Sequence, residues 1–176
     1  MNRRGFLTLC LTGTALAGCG FQPVYMPTAS GKPGMAEREL ASVDIAIIPD
    51  RPGQLLRQAL QDRFVSDAGG LHRYRLTTSF YIAGEGINIQ TGTEASRVRL
   101  IGVANWQLLT RDPTAKKLTF GSTHVVDGYN IFSGQFAAAV MESEALQKRI
   151  AEAVADDITL QLATWFRARG NATTGS

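Results

Sequence analysis

Three consecutive stretches of this sequence alternate polar with apolar residues, and they constrain the fold more than any other feature. They cover residues 74–82, 97–108 and 118–126. A period of two residues is typical of a strand with one buried and one solvated face. The turn sequence Arg111–Lys116, which contains Asp112 and Pro113, separates the second stretch from the third. We therefore expect these two strands to form an antiparallel hairpin. A longer polar loop, Gly84–Ser96, follows the first stretch.

Two helical patterns surround these strands. The first begins at Pro52-Gly53, after a β-branched strand at residues 43–48, and ends at Gly69-Gly70. It buries Leu55, Leu56, Ala59, Leu60 and Phe64. The second begins after Ser133, a possible cap, and runs to about Arg167, with Gly170 closing it. Its apolar residues recur at helical spacing: Phe136, Val140, Ala145, Leu146, Ile150, Ala153, Val154, Ile158, Leu162, Trp165 and Phe166.

The order strand, helix, three strands, helix predicts a two-layer α+β sandwich. We expect a four-stranded, mostly antiparallel sheet with two helices packed on one face. Two helices leave the other face of the sheet without a cover. Depending on the strand register, that face carries Ile101, Val103, Trp106 or Tyr81 among Thr, Asn, Gln and Arg residues. Such a surface is either an ordinary solvated sheet or a partner interface.

The amino terminus predicts export and lipid attachment. Arg3 and Arg4 precede an uncharged, mostly apolar run from residue 6 to 17, the length of a signal-peptide core and too short to span a bilayer. The run ends in Leu16-Ala17-Gly18-Cys19, which resembles the bacterial lipobox, where the cysteine thiol receives a diacylglycerol. Gly20 replaces the aspartate that retains many such lipoproteins in the inner membrane. The paired arginines leave the general and the twin-arginine export routes open.

The chain thus divides into four predicted parts. Residues 1–18 form a lipoprotein signal peptide, and residues 19–40 form a lipidated flexible tether rich in Pro and Gly. Residues 41–170 form the α+β domain. Residues 171–176 form a polar tail. Several acyl chains on the cysteine would hold the protein on the membrane, because one chain alone binds only marginally.

Charge and cysteine content exclude several functions. The chain has 18 Lys and Arg against 15 Asp and Glu, and the predicted signal peptide removes two arginines, which leaves a formal charge of +1. We therefore expect no nucleic-acid binding, which needs a clustered basic face. Cys10 leaves with the signal peptide and Cys19 carries the lipid, so the folded domain has no disulfide and no cysteine-based metal site. We expect no cofactor.

The residues do not predict an enzyme. His72 and His124 are interpreted as structural or solvent-exposed histidines, since no nucleophile, phosphate-loop or metalloprotease motif accompanies them. Asp156 and Asp157 are adjacent on a helix and point about 100° apart, so they do not converge on a metal ion. We interpret them as a solvated helix face.

Arg97 and Arg99 are the candidate ligand-binding residues. Two residues apart at the start of a strand, they point to the same face and could bind an anionic phosphate. The alternative is a pair of solvated charges that discourage edge pairing. Lys116 and Lys117 begin the neighbouring strand beyond the turn, at the far end of the hairpin, so the two basic pairs should not form one patch.

Several short motifs together resemble the LptE family of lipopolysaccharide-assembly lipoproteins, in particular its alphaproteobacterial members. The motifs are Cys19-Gly20-Phe21-Gln22-Pro23-Val24-Tyr25, Gly128-Tyr129-Asn130, Ser133, Ala137-Ala138-Ala139 and Ala155-Asp156-Asp157-Ile158 with Leu162. The order of elements is similar as well.

The resemblance implies a non-enzymatic function. Family members stand as a plug inside the wide outer-membrane β-barrel of the lipopolysaccharide translocon, LptD, aid its assembly and bind lipopolysaccharide. We therefore expect an outer-membrane lipoprotein, lipid-anchored and facing the periplasm, that helps insert lipopolysaccharide. An auxiliary lipoprotein of an ABC-type lipid transporter is the alternative, since such proteins combine a lipobox, a small sheet and a long carboxyl-terminal helix.

Overall fold

The computed structural model describes residues 33–64, 71–88, 95–132 and 136–174. Three helices pack on a four-stranded mixed sheet, which confirms the predicted α+β sandwich. The elements in chain order are α1 (Met35–Ala41), β1 (Val43–Ile45), α2 (Asp50–Arg63), β2 (Tyr74–Asn88), β3 (Ala95–Thr110), β4 (Lys117–Phe132) and α3 (Phe136–Thr174).

The sheet has the strand order β1-β2-β3-β4. The short strand β1 runs parallel to the start of β2, and the two longer pairs are antiparallel. Strands β2 to β4 have 15 or 16 residues each and are about 50 Å long. Strands β2 and β3 pair from Tyr74↔Thr110 to Asn88↔Ser96, so much of the predicted loop Gly84–Ser96 is strand. Residues 89–94 lie outside the described residues.

One face of the sheet is buried under the helices. Its side chains alternate as predicted: Leu76 and Phe80 in β2, and Leu100, Ala104, Trp106 and Leu108 in β3, are buried. The predicted stripe of α3 packs on them through Leu146, Ile150, Val154, Ile158, Leu162 and Phe166. Near the start of α3, Val140 and Met141 are exposed, so this end of the helix overhangs the core.

Helix α1 corrects the predicted extent of the tether. Residues 19–40 were expected to lack regular structure, yet Met35–Ala41 is helical and buries Ala36 and Leu40. The Gly34 amide donates to the Glu37 carboxylate (3.3 Å) and caps the helix start. A short polar helix gains its stability from packing on other elements, which local sequence does not show. The described residues therefore contain three helices where two were predicted.

The end of α3 is also different from the prediction. The helix continues to Thr174, so Gly170 does not close it, and the predicted polar tail from Asn171 is helical over its first residues. Gly170 instead makes room for Met35 of α1, because a Cβ atom at Gly170 would overlap the Met35 side chain. The predicted cap Ser133 lies outside the described residues.

Polar contacts attach α3 to its neighbours. Arg63 of α2 donates to Asp156 (Nε–Oδ1 2.6 Å) and to the Glu152 carbonyl oxygen (3.1 Å). The Thr123 hydroxyl of β4 donates to Asp157. Asp156 and Asp157 thus diverge toward α2 and β4, so they attach the helix on two sides and are not simply a solvated face.

Candidate functional site

The second face of the sheet has no covering element among the described residues. The strand register places one residue from each long strand in a row across it. From the turn end outward the rows are Thr77–Gln107–Phe120, Ser79–Asn105–Ser122, Tyr81–Val103–His124, Ala83–Ile101–Val126 and Glu85–Arg99–Gly128. The first four rows contain no Asp, Glu, Lys or Arg, in a chain of which 19% of residues are charged. We call this surface the open face.

The middle of the open face is apolar. Tyr81 is 56% exposed and Val126 is 48% exposed, and Ile101 and Val103 lie half-buried between them. Trp106, which the sequence left as a possible member of this face, lies on the helix side and is buried. The central patch is the contiguous group formed by the side chains of Tyr81, Ile101, Val103 and Val126. Exposed apolar groups of this kind are typical of contact surfaces.

A groove lies at the turn end of the open face, with a volume of about 500 Å³. It is lined by Thr77, Ser79, Asn105, Trp106, Gln107, Lys117, Phe120, Gly121 and Ser122. The Phe120 ring is 71% exposed, and the Lys117 ammonium lies 5.0 Å from its centroid. A register shift opposite Leu108 and Leu109 brings Lys117 to the same face as Phe120.

Arg97 and Arg99 lie at the other end of the open face. Both are exposed and point to the same side, as their spacing predicts. Arg99 pairs with Glu85 across the strands (Nη1–Oε2 3.7 Å). Arg97 pairs with Asn130 and Lys117 with Leu109, so the two basic pairs are separated by a strand length of about 40 Å. The predicted separation of the two pairs is therefore confirmed.

The two histidines lie far apart. His124 is exposed on the open face opposite Val103. His72 precedes β2 at the turn end and is half-buried, with its Nδ1 atom buried and without a hydrogen-bond partner among the described residues. The interpretation of His72 as a solvent-exposed turn residue was therefore incomplete. His72 lies two residues before Tyr74, which pairs with Thr110 of β3, whereas His124 pairs with Val103. Thr110 and Val103 are about 23 Å apart along β3, so the histidines do not share a site.

Other chemical features of the described residues add no further site. Within these residues no group of three His, Cys, Asp or Glu side chains is arranged to hold a metal ion. No helix in the described part of the chain is both long and apolar enough to cross a membrane. Cys19, the predicted lipid attachment site, lies outside the described residues.

Sequence reasoning identified the open face but not the groove. Phe120 was assigned correctly to an alternating strand, yet its face depends on the strand register and on the shift at Leu108 and Leu109. Asn105 and Gln107 alternate like ordinary solvated strand residues. Only when the neighbouring strands are aligned do the amides of Asn105 and Gln107 lie beside an aromatic residue.

The chain matches a known protein family and solved structures. A family model described as LptE, lipopolysaccharide-assembly, matches residues 40–162. A candidate lipoprotein from Caulobacter crescentus CB15 is 26% identical in sequence, with a TM-score of 0.61 over 75% of this chain and 96% of that chain. A minor lipoprotein from Acinetobacter baumannii is 15% identical, with a TM-score of 0.52 over 69% and 90% of the two chains, and shows the same fold. A comparison with curated proteins gave no significant match.

Proposed function

Because the chain belongs to the LptE lipopolysaccharide-assembly family, we propose that it assembles with the wide outer-membrane β-barrel of the lipopolysaccharide translocon and plugs its lumen. Membership of the family gives the chain a role in lipopolysaccharide assembly. The observation that carries the finer proposal is the open face, a long sheet surface with an apolar centre that no described element covers. The chain acts by binding and positioning rather than by catalysis.

The size of the domain supports a wide barrel as partner. Four strands about 4.8 Å apart and two layers about 10 Å apart give a cross-section on the order of 20 Å in each direction. Barrels of 16–18 strands enclose an open channel, and barrels of about 22 strands hold a plug domain. We therefore infer a partner barrel of more than about 20 strands.

The central patch is the proposed contact with the barrel wall. The fully buried centre of a protein interface is richer in aromatic and apolar residues than its rim. Tyr81 and Val126 supply such a centre, and the uncharged rows around them add neutral hydrogen-bonding groups. Burying this surface in the lumen would leave no charge unpaired in its middle.

Lipid attachment at Cys19 places the domain at the periplasmic side of the outer membrane in this proposal. The lipobox motif and the 26% identity to a candidate lipoprotein support it. Cys19→Ser should abolish the incorporation of labelled fatty acid into the protein, whether or not the protein stays with the barrel. Cys10→Ser is the matched control, because its cysteine leaves with the signal peptide. Equal labelling of the Cys19→Ser and wild-type proteins would contradict lipid attachment.

Affinity purification tests the barrel partnership. A tag at the carboxyl terminus of the full-length protein, followed by mass spectrometry, should recover a large outer-membrane barrel. Tyr81→Asp together with Val126→Asp should reduce barrel recovery at least about tenfold, because each carboxylate would be buried without a partner. Leu71→Asp is the control, as Leu71 is exposed outside the open face. Recovery of an inner-membrane transport complex without a barrel would instead favour the ABC-transporter alternative.

Arg97 and Arg99 are proposed to bind an anionic group of lipopolysaccharide. They are exposed on one face, and guanidinium groups bind phosphate through paired hydrogen bonds. Arg97→Ala with Arg99→Ala should weaken binding of lipopolysaccharide in vitro. Arg111→Ala with Lys116→Ala removes the same charge at the opposite end of the sheet and serves as the control. Equal binding by both double variants would leave Arg97 and Arg99 as surface charges.

A further inference from the structure

The groove at the turn end of the open face has no role in the barrel contact proposed above. We propose that it binds an uncharged oligosaccharide, with Phe120 as a stacking platform. The inference relies on the proposed function only in taking lipopolysaccharide as the source of the sugar. It does not depend on the barrel.

The side chains around Phe120 match the chemistry of a sugar. Asn105 and Gln107 each carry an amide that both donates and accepts hydrogen bonds, and Ser79, Thr77 and Ser122 add hydroxyls with the same capacity. Sugar hydroxyls also donate and accept. A surface of neutral groups that do both can therefore satisfy a ring of hydroxyls without burying a charge.

Phe120 provides the apolar half of the site. Its side chain is largely exposed at the edge of the groove, so a ligand can reach it there. The carbon–hydrogen face of a sugar ring is positively polarised and packs on the negative face of an aromatic ring. The groove volume of about 500 Å³ lies within the range for small-ligand sites, about 300–1,000 Å³.

Two other ligand classes fit the groove poorly. A phosphate would need cationic partners, and Lys117 is the one cation that lines the groove, with its ammonium over the Phe120 ring. An acyl chain would remove water from the amides and hydroxyls without replacing their hydrogen bonds, which costs free energy at each group. A neutral sugar avoids both costs.

The groove is separate from the proposed anion site. Gln107 and Arg97 lie ten residues apart on β3, which is about 33 Å of strand. Two arginines at one end of the open face, and mostly neutral groups beside a single lysine at the other, would bind chemically different ligands. Substitutions at the two ends should therefore affect binding independently.

Calorimetric titration of the full-length lipidated protein tests the inference. The protein is held in a zwitterionic detergent, since a sugar-based detergent would compete. The probes are the oligosaccharide released from lipopolysaccharide by mild acid, with its phosphates and acidic sugars removed so that it is uncharged, and the separated lipid A. The oligosaccharide should bind saturably and shift the side-chain amide NMR signals of Asn105 and Gln107. Phe120→Ala should weaken oligosaccharide binding about tenfold or more, while Phe120→Tyr should retain it within about threefold.

Matched controls separate stacking from general damage to the sheet. His124→Ala lies on the same strand and the same face but outside the groove, and it should leave oligosaccharide binding unchanged. Asn105→Ala with Gln107→Ala should weaken binding as Phe120→Ala does. Circular dichroism of each variant verifies folding, which exposed substitutions should preserve.

Three results would overturn the inference: no oligosaccharide binding at millimolar concentration, unchanged affinity in Phe120→Ala, or a response to lipid A alone. Affinity purification of the Phe120→Ala protein measures barrel recovery separately from oligosaccharide binding. The sugar site and the proposed function can therefore fail independently. Oligosaccharide binding by a protein that recovers no barrel would refute the plug and leave the sugar site in place. Barrel recovery by a protein that binds no oligosaccharide would refute the sugar site and leave the plug in place.

Discussion

Replacement of Gly102 by alanine tests how closely the long helix α3 lies on the sheet. A Cβ atom at Gly102 would lie 2.3 Å from the Ile150 Cγ2 atom and 3.4 Å from the Phe80 Cε2 atom. Carbon atoms in contact are normally about 3.5–4.0 Å apart, so the helix or the Ile150 side chain must move by more than about 1 Å. Ile150 is fully buried, and neighbouring core atoms resist that movement.

The expected effect follows from two opposing terms. Overpacking of a well-packed core costs about 1–3 kcal/mol. Alanine returns about 0.4–1 kcal/mol because it restricts the unfolded chain. We therefore expect Gly102→Ala to lower the free energy of unfolding by about 1–2 kcal/mol, which is a melting temperature lower by about 2–8 °C for a domain of this size. Urea titration followed by circular dichroism measures it.

Two further variants make the test specific to the helix contact. Gly84→Ala is the control, because its Cβ would lie 3.3 Å from the flexible end of the Leu100 side chain, and its stability should change by less than about 0.5 kcal/mol. Ile150→Leu removes the β-branched methyl that Gly102→Ala would meet. The penalty of Gly102→Ala should therefore be smaller in the Ile150→Leu background. An equal penalty in both backgrounds, or none in the wild type, would refute the close contact between α3 and β3.

Four other substitutions test the packing around the sheet by urea unfolding. Arg63→Ala should lower the free energy of unfolding by about 1–2 kcal/mol, because it removes the hydrogen bonds that link α2 to α3. Asp156→Asn should lower it by less than about 1 kcal/mol, since that carboxylate is largely exposed. Leu162→Ala should cost about 2–5 kcal/mol, because Leu162 is fully buried. Burial, and then the hydrogen bond to Glu39, raise the pKa of Tyr74 above its ordinary value. The unfolded chain therefore ionises first, near pH 10, so the stability advantage of the wild type over Tyr74→Phe should be constant below about pH 10 and shrink above it. An advantage that grows above pH 10 would contradict this account.

Much of the fold could be predicted from local sequence. Alternation with a period of two divides the residues of β2 and β3 into the two sets that share a face, without knowledge of the neighbouring strands. The helical spacing in α2 and α3 identifies the buried stripes in the same way. The predicted hairpin is confirmed by the antiparallel pairing of β3 and β4. In its turn, Arg111–Lys116, the Asp112 carboxylate accepts hydrogen bonds from the amides of Thr114 and Ala115. These features depend on residues close together in the chain.

Helix α1 and the end of α3 depended on distant contacts instead. Pro33-Gly34 and the polar residues after them are typical of a tether, and Gly170 is typical of a helix end. Residues 35–41 are nonetheless helical and α3 continues past Gly170, because α1 packs on the end of α3, where Met35 occupies the space beside Gly170. Burial of Ala36 and Leu40 outweighs weak local propensity.

The sequence by itself determined which residues of each strand share a face, Arg97 and Arg99 among them, but not which of the two faces the helices cover. Only the tertiary structure decided which residues of neighbouring strands lie side by side on the open face. It aligned Phe120 with Gln107 and Asn105 with Ser122, and it paired Arg99 with Glu85. The physical reason is that the side-chain period belongs to a single strand, whereas register is a property of two strands and of the irregularities between them.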